Sequence, residues 1–237
     1  MACFIGLNLI IMRKIILLFT FLFVVASFLS CQKNKNNNDD PGNIPGMGDA
    51  GGELEVEDTL SFPMESFFVG DITGCEANVI PTDNPVGSGG EWIILDFSIE
   101  NKTDKDANFY LLGGSVIECQ EENYQHAICI QRLDILVEAE TTKNCKLLVY
   151  CINKGRSGSS PDITYLIKGV SSSDRMMRLV DALEDKKIDV REYLPDNKNE
   201  FKEISKAIQD IVWAITNGSG LSDEDWTFIN SLPLIEK

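Results

Sequence analysis

The chain has 237 residues, and its 37 acidic residues against 21 basic ones give a formal net charge of −16. A chain this acidic repels the phosphates of nucleic acids, so its composition argues against nucleic-acid binding. A single histidine and cysteines without zinc-site spacing argue against a metal site. The glycine-rich stretch KGRSGSS lacks the Gly-Lys-Ser/Thr ending of a phosphate loop. We therefore expect neither a metal nor another cofactor.

The N-terminus has the order of a bacterial export signal. Arg13 and Lys14 precede an apolar run at 15–30, and Cys31 follows a small residue. This order resembles a lipoprotein signal, in which the cysteine is lipidated and begins the mature chain, although Phe28 stands where leucine is usual. An uncleaved anchor is the alternative, but the run is shorter than the roughly 20 residues that span a bilayer. The sequence predicts a lipid-anchored protein of the cell envelope, at the outer membrane or cell surface.

The boundaries of this leader follow from charge and composition. Residues 1–11 carry no charge, so Met12 is a more natural start for such a signal than Met1. The signal is expected to span residues 1–31. The following segment, 32–58, is rich in Asn, Asp, Gly and Pro and poor in apolar residues. A segment of this composition buries too little surface to fold, so it is predicted to be a flexible tether.

Residues 59–153 have the pattern of a β-domain. Short stretches of alternating apolar residues are separated by polar or glycine-rich turns, which is typical of strands with one buried face. Several such strands at this spacing predict an antiparallel β-sandwich. The two clearest alternating faces are Ile93, Leu95, Phe97 and Ile99, and then Leu133, Ile135 and Val137.

Residues 154–237 change from strand to helix periodicity. One further strand, ITYLIKGV, precedes about three helices that are expected to pack on the sandwich. Ser173 is placed to cap the first helix, and Ser222 with Asp225 forms a capping-box pattern at the last. The overall prediction is a mainly β protein with a helical C-terminal segment. The apolar stripes of the first two helices are Met176, Leu179, Val180 and Leu183, and then Phe201, Ile204, Ile208, Ile211 and Ile215.

Five cysteines lie in the predicted domain, and an exported protein can hold disulfides. Cys119 and Cys129 flank a possible hairpin and are candidates for one pair. Cys75 and Cys145 are candidates for a second, although the sequence alone leaves the connectivity open. Two pairs among five cysteines would leave Cys151 unpaired, either as an inert buried thiol or as a reactive group.

Two stretches carry the strongest functional signal. These are VYCINKGRSGSSPDITYLI, at a strand end, and IQDIVWAITNG, in the second long helix. Together they resemble the thioester domains of bacterial surface adhesins, over residues 148–218. That family carries a Tyr-Cys pair near a strand end and a helix with Thr-Gln-x-Ala-Ile-Trp or a close variant. Here Ile208 stands in place of the threonine and Ile211 in place of the alanine.

The resemblance implies a specific bond. In the family, the cysteine sulfur and the glutamine side chain join as an internal thioester that captures a nucleophile on a host surface. By position, Cys151 matches the cysteine and Gln209 the glutamine, while Trp213 matches the tryptophan. Tyr150 matches the tyrosine, and Arg156 is expected to make a structural salt bridge near Cys151. The implied activity is a single covalent capture, which is not enzymatic turnover.

Two other interpretations remain open at this point. Cys151 and Gln209 can be ordinary packing residues of a passive structural or assembly lipoprotein that binds its partners non-covalently. A cysteine-nucleophile enzyme would need a base, and His126 is the one histidine available. His126 is predicted at a hairpin tip, where a histidine is usually a surface residue. For both the thioester protein and the passive lipoprotein, the expected partners are the membrane, through the lipid, and a protein or glycan.

Overall fold

Six β-strands pair edge to edge and close on themselves in this computed structural model, which describes residues 39–57 and 68–236. The predicted signal and the lipidation site Cys31 lie outside the described residues. The strands run as β1 (Val56–Glu57), β2 (Ile72–Gly74), β3 (Pro85–Val86), β4 (Ile93–Glu100), β5 (Ala107–Leu111), β6 (Ser115–Cys119), β7 (Ala127–Cys129), β8 (Leu133–Val137), β9 (Thr142–Cys151) and β10 (Thr164–Ser171).

The fold is a β-barrel with additions, where the sequence predicts a sandwich. The order β10-β2-β4-β9-β7-β6 is antiparallel throughout, and β6 pairs again with β10, with Tyr165 opposite Cys119. Strand β1 extends the sheet beside β10, β3 runs parallel to β9, and β5 with β8 forms a separate two-stranded sheet. The prediction of a mainly β protein with three C-terminal helices is confirmed, and the sandwich is corrected to a closed barrel.

The first residues of β4 and the last residues of β9 are buried on both faces of the sheet. Alternating residues of β4 and β9, such as Leu95 and Val149, point into a core inside the barrel. The residues between them, such as Ile94 and Leu148, point outward and are also buried, under the helices. The alternating apolar residues predicted in β4, and those predicted in β8 of the separate sheet, all belong to this core. Burial on both faces explains the continuous apolar run of β9, because each residue packs against either the barrel core or the helices.

Three helices cover one side of the barrel. The bounds are α1 (Asp174–Leu183), α2 (Lys198–Thr216) and α3 (Asp223–Ser231), with a short 3₁₀ helix at Val190–Glu192. Their predicted apolar stripes face the barrel, and the predicted caps are present: the Ser173 hydroxyl accepts from the Met176 N–H. At α3, Ser222 and Asp225 form the reciprocal capping box. None of the described helices is long and apolar enough to cross a membrane.

Residues 39–54, here called the strap, pack on the domain, although the sequence predicts a flexible tether up to residue 58. Ile44, Met47 and Leu54 are buried in the core beneath the helices. The Gly42 N–H donates to the Ile215 carbonyl at 2.9 Å, and the Gly48 N–H donates to the Ile152 carbonyl at 2.6 Å. Three apolar side chains and these main-chain bonds therefore hold a segment whose overall composition is that of a linker.

The division at residue 153 is also absent from the fold. Strand β10 lies between β2 and β6 in the barrel, while the sequence groups it with the helices. The described residues, 39–57 and 68–236, form one compact unit. The strap, the barrel and the helices therefore belong to a single domain.

All five cysteines between residues 68 and 236 are free thiols. The register sets Cys129 opposite Ser115, four positions along β6 from Cys119. At about 3.3 Å per residue, that offset exceeds the roughly 7 Å between Cα atoms that a disulfide allows. Cys145 faces the barrel interior, whereas Cys75 packs against the outer cluster on the far side of β4. Both candidate pairs are thus replaced by separated thiols.

Burial of Cys129 has a measurable consequence at high pH. Its thiol donates to the Gln131 carbonyl at 3.1 Å, and complete burial raises its pKa from 9.0 to about 12. The unfolded chain therefore loses this proton first as the pH rises, so the stability contributed by the protonated thiol falls above pH 9. We expect a loss of about 1.4 kcal/mol in the free energy of unfolding for each pH unit above 9, up to the folded pKa.

Urea unfolding of the wild type and of Cys129→Ala between pH 8 and 10.5 measures this effect. The variant is expected to lose less stability across that range than the wild type. Cys75→Ala is the comparison variant, because that thiol is only partly buried and its pKa is raised less, so its removal should reduce the pH dependence less than removal of Cys129. Equal slopes for the wild type and Cys129→Ala would contradict the assignment.

Candidate functional site

Cys151 is the last residue of β9, at a point where the neighbouring strand is missing. On one edge, Cys151 lies opposite Ala127 of β7, and the next residue bonds to that side, since the Ile152 N–H donates to the His126 carbonyl at 3.1 Å. Main-chain groups alternate in direction along a strand, so those of Cys151 face the other edge. Strand β4 begins opposite Val149 and does not reach Cys151. The Cys151 N–H and C=O therefore need another partner.

The side chain of Gln209 is that partner. The Cys151 N–H donates to Gln209 Oε1 at 2.9 Å, and Gln209 Nε2 donates to the Cys151 carbonyl at 2.9 Å. The carboxamide thus replaces the missing residue of β4 and satisfies two buried main-chain groups. Gln209 is 1% exposed on the barrel-facing side of α2. The polar residue within this apolar helix face has a structural role that its own sequence context does not reveal.

The sulfur of Cys151 lies on the other side of the strand from the helix core. Tyr150 and Ile152 point to the cluster beneath α2, whereas Cys151 points into the barrel core with Val149. Cys151 is 0% exposed, and this burial raises the pKa of its thiol far above the ordinary value. The sulfur is therefore a protonated, water-excluded thiol beside a strand end that holds a carboxamide.

Trp213 follows Gln209 by one helical turn and reaches the sulfur side of the strand. It packs against the barrel-core cluster that contains Cys151. The ring of Trp92 lies 6.5 Å from the ring of Trp213, and the Lys154 amino group lies 5.2 Å from its centroid. The Trp213 indole N–H is buried and makes no hydrogen bond. The structure thus brings Gln209 to the main chain of Cys151 and places Trp213 one helical turn further along α2.

The other two predicted supporting residues contribute through packing and main-chain bonds. The Tyr150 hydroxyl donates to the Ser88 carbonyl, and its ring is fully buried beneath α2. Complete burial raises the pKa of Tyr150 well above its usual value. Arg156 contributes main-chain groups: its carbonyl accepts from Gln125 Nε2 at 3.0 Å, and its N–H donates to the Asn153 carbonyl at 3.3 Å. These bonds fix the loop that follows Cys151.

Asn153 is a site residue that the sequence analysis did not single out. Its Nδ2 donates to the carbonyls of Gly46 and Gly48 in the strap, at 3.1 and 3.2 Å. Its Oδ1 accepts from the His126 N–H at 3.1 Å. Asn153 is 2% exposed, so one buried amide ties the strap to the strand end that carries Cys151. A polar residue directly after an apolar strand was the only sequence signal for it.

One ring nitrogen of His126 is occupied by a main-chain hydrogen bond. It lies immediately before β7, not at a hairpin tip, and its Nδ1 accepts from the Cys119 N–H at 3.0 Å. With Nδ1 accepting, the proton of the neutral ring is on Nε2. Burial lowers the pKa of His126, with the nearby Arg156 acting in the same direction. The arrangement gives no support to a cysteine–histidine enzyme.

Within residues 39–57 and 68–236, no cluster of His, Cys, Asp and Glu side chains could hold a metal ion. Comparison of the chain with protein-family models, with curated proteins and with solved structures found no match.

Proposed function

We propose that the protein is an exported, lipid-anchored surface interaction module that captures its partner through a thioester between Cys151 and Gln209. Lipidation at Cys31 would hold the module at the cell envelope, as the export-signal pattern indicates. The activity is one covalent capture per molecule, without turnover. The partner is a protein or glycan that presents a nucleophile such as a primary amine.

The observation that carries this proposal is the pairing of the Gln209 carboxamide with the main chain of Cys151. Both hydrogen bonds measure 2.9 Å, so the carbonyl carbon between Oε1 and Nε2 lies beside the Cα of Cys151. The sulfur is two bonds from that same Cα. The two groups therefore need no encounter step, and what remains is the movement of the carbonyl carbon from the strand edge to the sulfur.

Bond formation needs no other reactant. The Cys151 sulfur adds to the Gln209 carbonyl carbon, the C–N bond breaks, and the thiol proton leaves with the nitrogen as ammonia. In the capture step, an amine attacks the same carbon and the C–S bond breaks. The amine proton returns to the sulfur, and Gln209 becomes joined to the partner through an amide bond.

Burial supports the persistence of such a bond. Cys151 and Gln209 are 0% and 1% exposed, so bulk water does not reach either group in the closed structure. The strap and the ring of Trp213 lie beside them. A thioester is an acylating group that water destroys slowly, and exclusion of water protects it until a partner gains access.

Intact mass spectrometry of the full chain, set beside Cys151→Ala, tests the proposal. N-terminal processing is common to both proteins, so only the difference between their masses matters, and phosphine reduction removes any disulfides. The wild type is expected to be lighter by one ammonia than the sequence difference requires. Methylamine should then add to the wild type at Gln209 and should not add to the variant.

Absence of the ammonia deficit would overturn the proposal. Gln209 would then act solely as the partner of the Cys151 main chain, and the protein would bind its partners through ordinary surface contacts. Addition of methylamine to Cys151→Ala would also contradict it, because that variant has no sulfur with which to activate Gln209.

A further inference from the structure

In the part of the chain that the structure describes, the buried indole N–H of Trp213 has no hydrogen-bond partner. The buried hydroxyl of Tyr165 has only the Cys119 thiol beside it. A buried donor without an acceptor destabilises a fold, so each such group calls for a physical explanation, of which a catalytic role is one. Both side chains pack with the barrel-core cluster that contains Cys151. An acceptor that forms only during the reaction would explain why the indole donor has no partner in the unreacted protein.

Trp213 is positioned by the helix that carries Gln209. Residues four apart lie on the same face of a helix, one turn from each other. Gln209 reaches the main chain of Cys151, whereas Trp213 reaches the cluster that holds the Cys151 side chain. The indole therefore packs against the same core into which the Cys151 side chain points. Trp92 and Lys154 contact the same indole ring.

We propose that the Trp213 indole N–H donates to the carbonyl oxygen of the Cys151–Gln209 thioester and of the tetrahedral intermediates that form and consume it. In the unreacted amide, that oxygen is held by the Cys151 N–H, which leaves the indole without an acceptor. Moving the carbonyl carbon from the strand edge to the sulfur draws the oxygen away from the Cys151 N–H. Trp213 then supplies the replacement bond. This inference rests on the proposed thioester.

The expected contribution is large for one hydrogen bond. Negative charge develops on this oxygen when a thiol or an amine adds to the carbon, and a fixed donor in a dry site stabilises that charge strongly. Loss of one such donor slows acyl transfer by about 100-fold or more. The Tyr165 hydroxyl is on β10, opposite Cys119, and is not carried by the helix that positions Gln209.

The test replaces the donor without changing the shape of the ring. In the full chain, Trp213 is replaced by 3-benzothienylalanine, in which sulfur stands in place of the indole N–H, and by phenylalanine as a second variant. The measured quantity is the rate at which methylamine consumes the thioester, followed by intact mass. The benzothienyl protein is expected to react about 100-fold more slowly than the wild type. Trp92→Phe is the matched control, since it changes the stacked ring and leaves the Trp213 N–H in place.

Each outcome separates this inference from the proposed function. If the mass of the wild type shows no ammonia deficit, no thioester forms, and both the proposed function and this inference are wrong. If the wild type shows the deficit and the benzothienyl protein reacts at the wild-type rate, only the inference about Trp213 is wrong. Slowing in Tyr165→Phe but not in the benzothienyl protein would make Tyr165 the donor and would also overturn it. Slowing to the same extent in Trp92→Phe would show that the aromatic stack, and not the N–H, sets the rate.

Discussion

Replacing Gln209 with alanine is expected to lower the free energy of unfolding by about 4 kcal/mol when Cys151 is also alanine. The Cys151→Ala background forms no thioester, so the comparison isolates the two hydrogen bonds. The main-chain N–H and C=O of residue 151 stay buried and lose their only partner across that edge. Each unsatisfied buried group costs about 1–3 kcal/mol. Urea denaturation of the single and double variants measures the difference.

Asp210→Ala in the same background is the control for this measurement. Asp210 is the next residue of α2 and is exposed, so its replacement is expected to change stability by less than about 0.5 kcal/mol. If Gln209→Ala destabilised the protein no more than Asp210→Ala, the carboxamide would not be acting as a substitute for the missing strand.

Replacing Gly48 with alanine is expected to detach the strap from the strand end. Gly48 has a φ of +58°, and a Cβ there would lie 1.8 Å from the Thr216 carbonyl oxygen. The contact is with main chain, so no side chain can move aside. We expect a loss of about 3 kcal/mol in the local stability of the strap, seen as roughly 100-fold faster exchange of the Gly42 amide hydrogen.

Gly51 provides a matched substitution within the same segment. Its φ is +65°, but a Cβ at this position meets nothing within 4 Å. Gly51→Ala therefore tests the left-handed backbone alone, which costs about 1–2 kcal/mol for a residue with a side chain. Similar exchange rates in the two variants would show that backbone conformation, and not the collision with Thr216, limits substitution at Gly48.

The local structure of this protein was predictable because each element has its own periodic signal. The alternation Ile93–Ile99 and the stripe Met176–Leu183 arise from contacts that repeat along one strand or one helix. Barrel closure has no such signal. It depends on the pairing of Tyr165 with Cys119, and a strand that pairs in a barrel has the same alternation as one in a sandwich. The sequence therefore predicted the strands without predicting how their edges meet.

The strap and the cysteines show a second limit. Composition predicted a tether, but three buried side chains, with Met47 the most deeply buried, determine where residues 39–54 lie. The cysteine pairs were inferred from sequence separation, whereas register and strand face decide which thiols can meet. The motif drew attention to Cys151 and Gln209, and in the structure the Gln209 side chain contacts the main chain of Cys151. Their mode of contact, through the main chain of Cys151, is a consequence of where β4 begins.

The strap also determines how a pulling force would enter the domain. Tension applied from the N-terminal side reaches first the bonds of Asp39, whose carboxylate accepts from the Ser173 hydroxyl at 2.5 Å and from the Arg175 N–H at 3.2 Å. It then reaches the bonds between the strap and Asn153, two residues from Cys151. Because β1 follows the strap in the chain, these contacts bear the load before the barrel does. A domain held at its N-terminus and pulled by a bound partner would therefore release Asp39 first, and the strand end that carries Cys151 next.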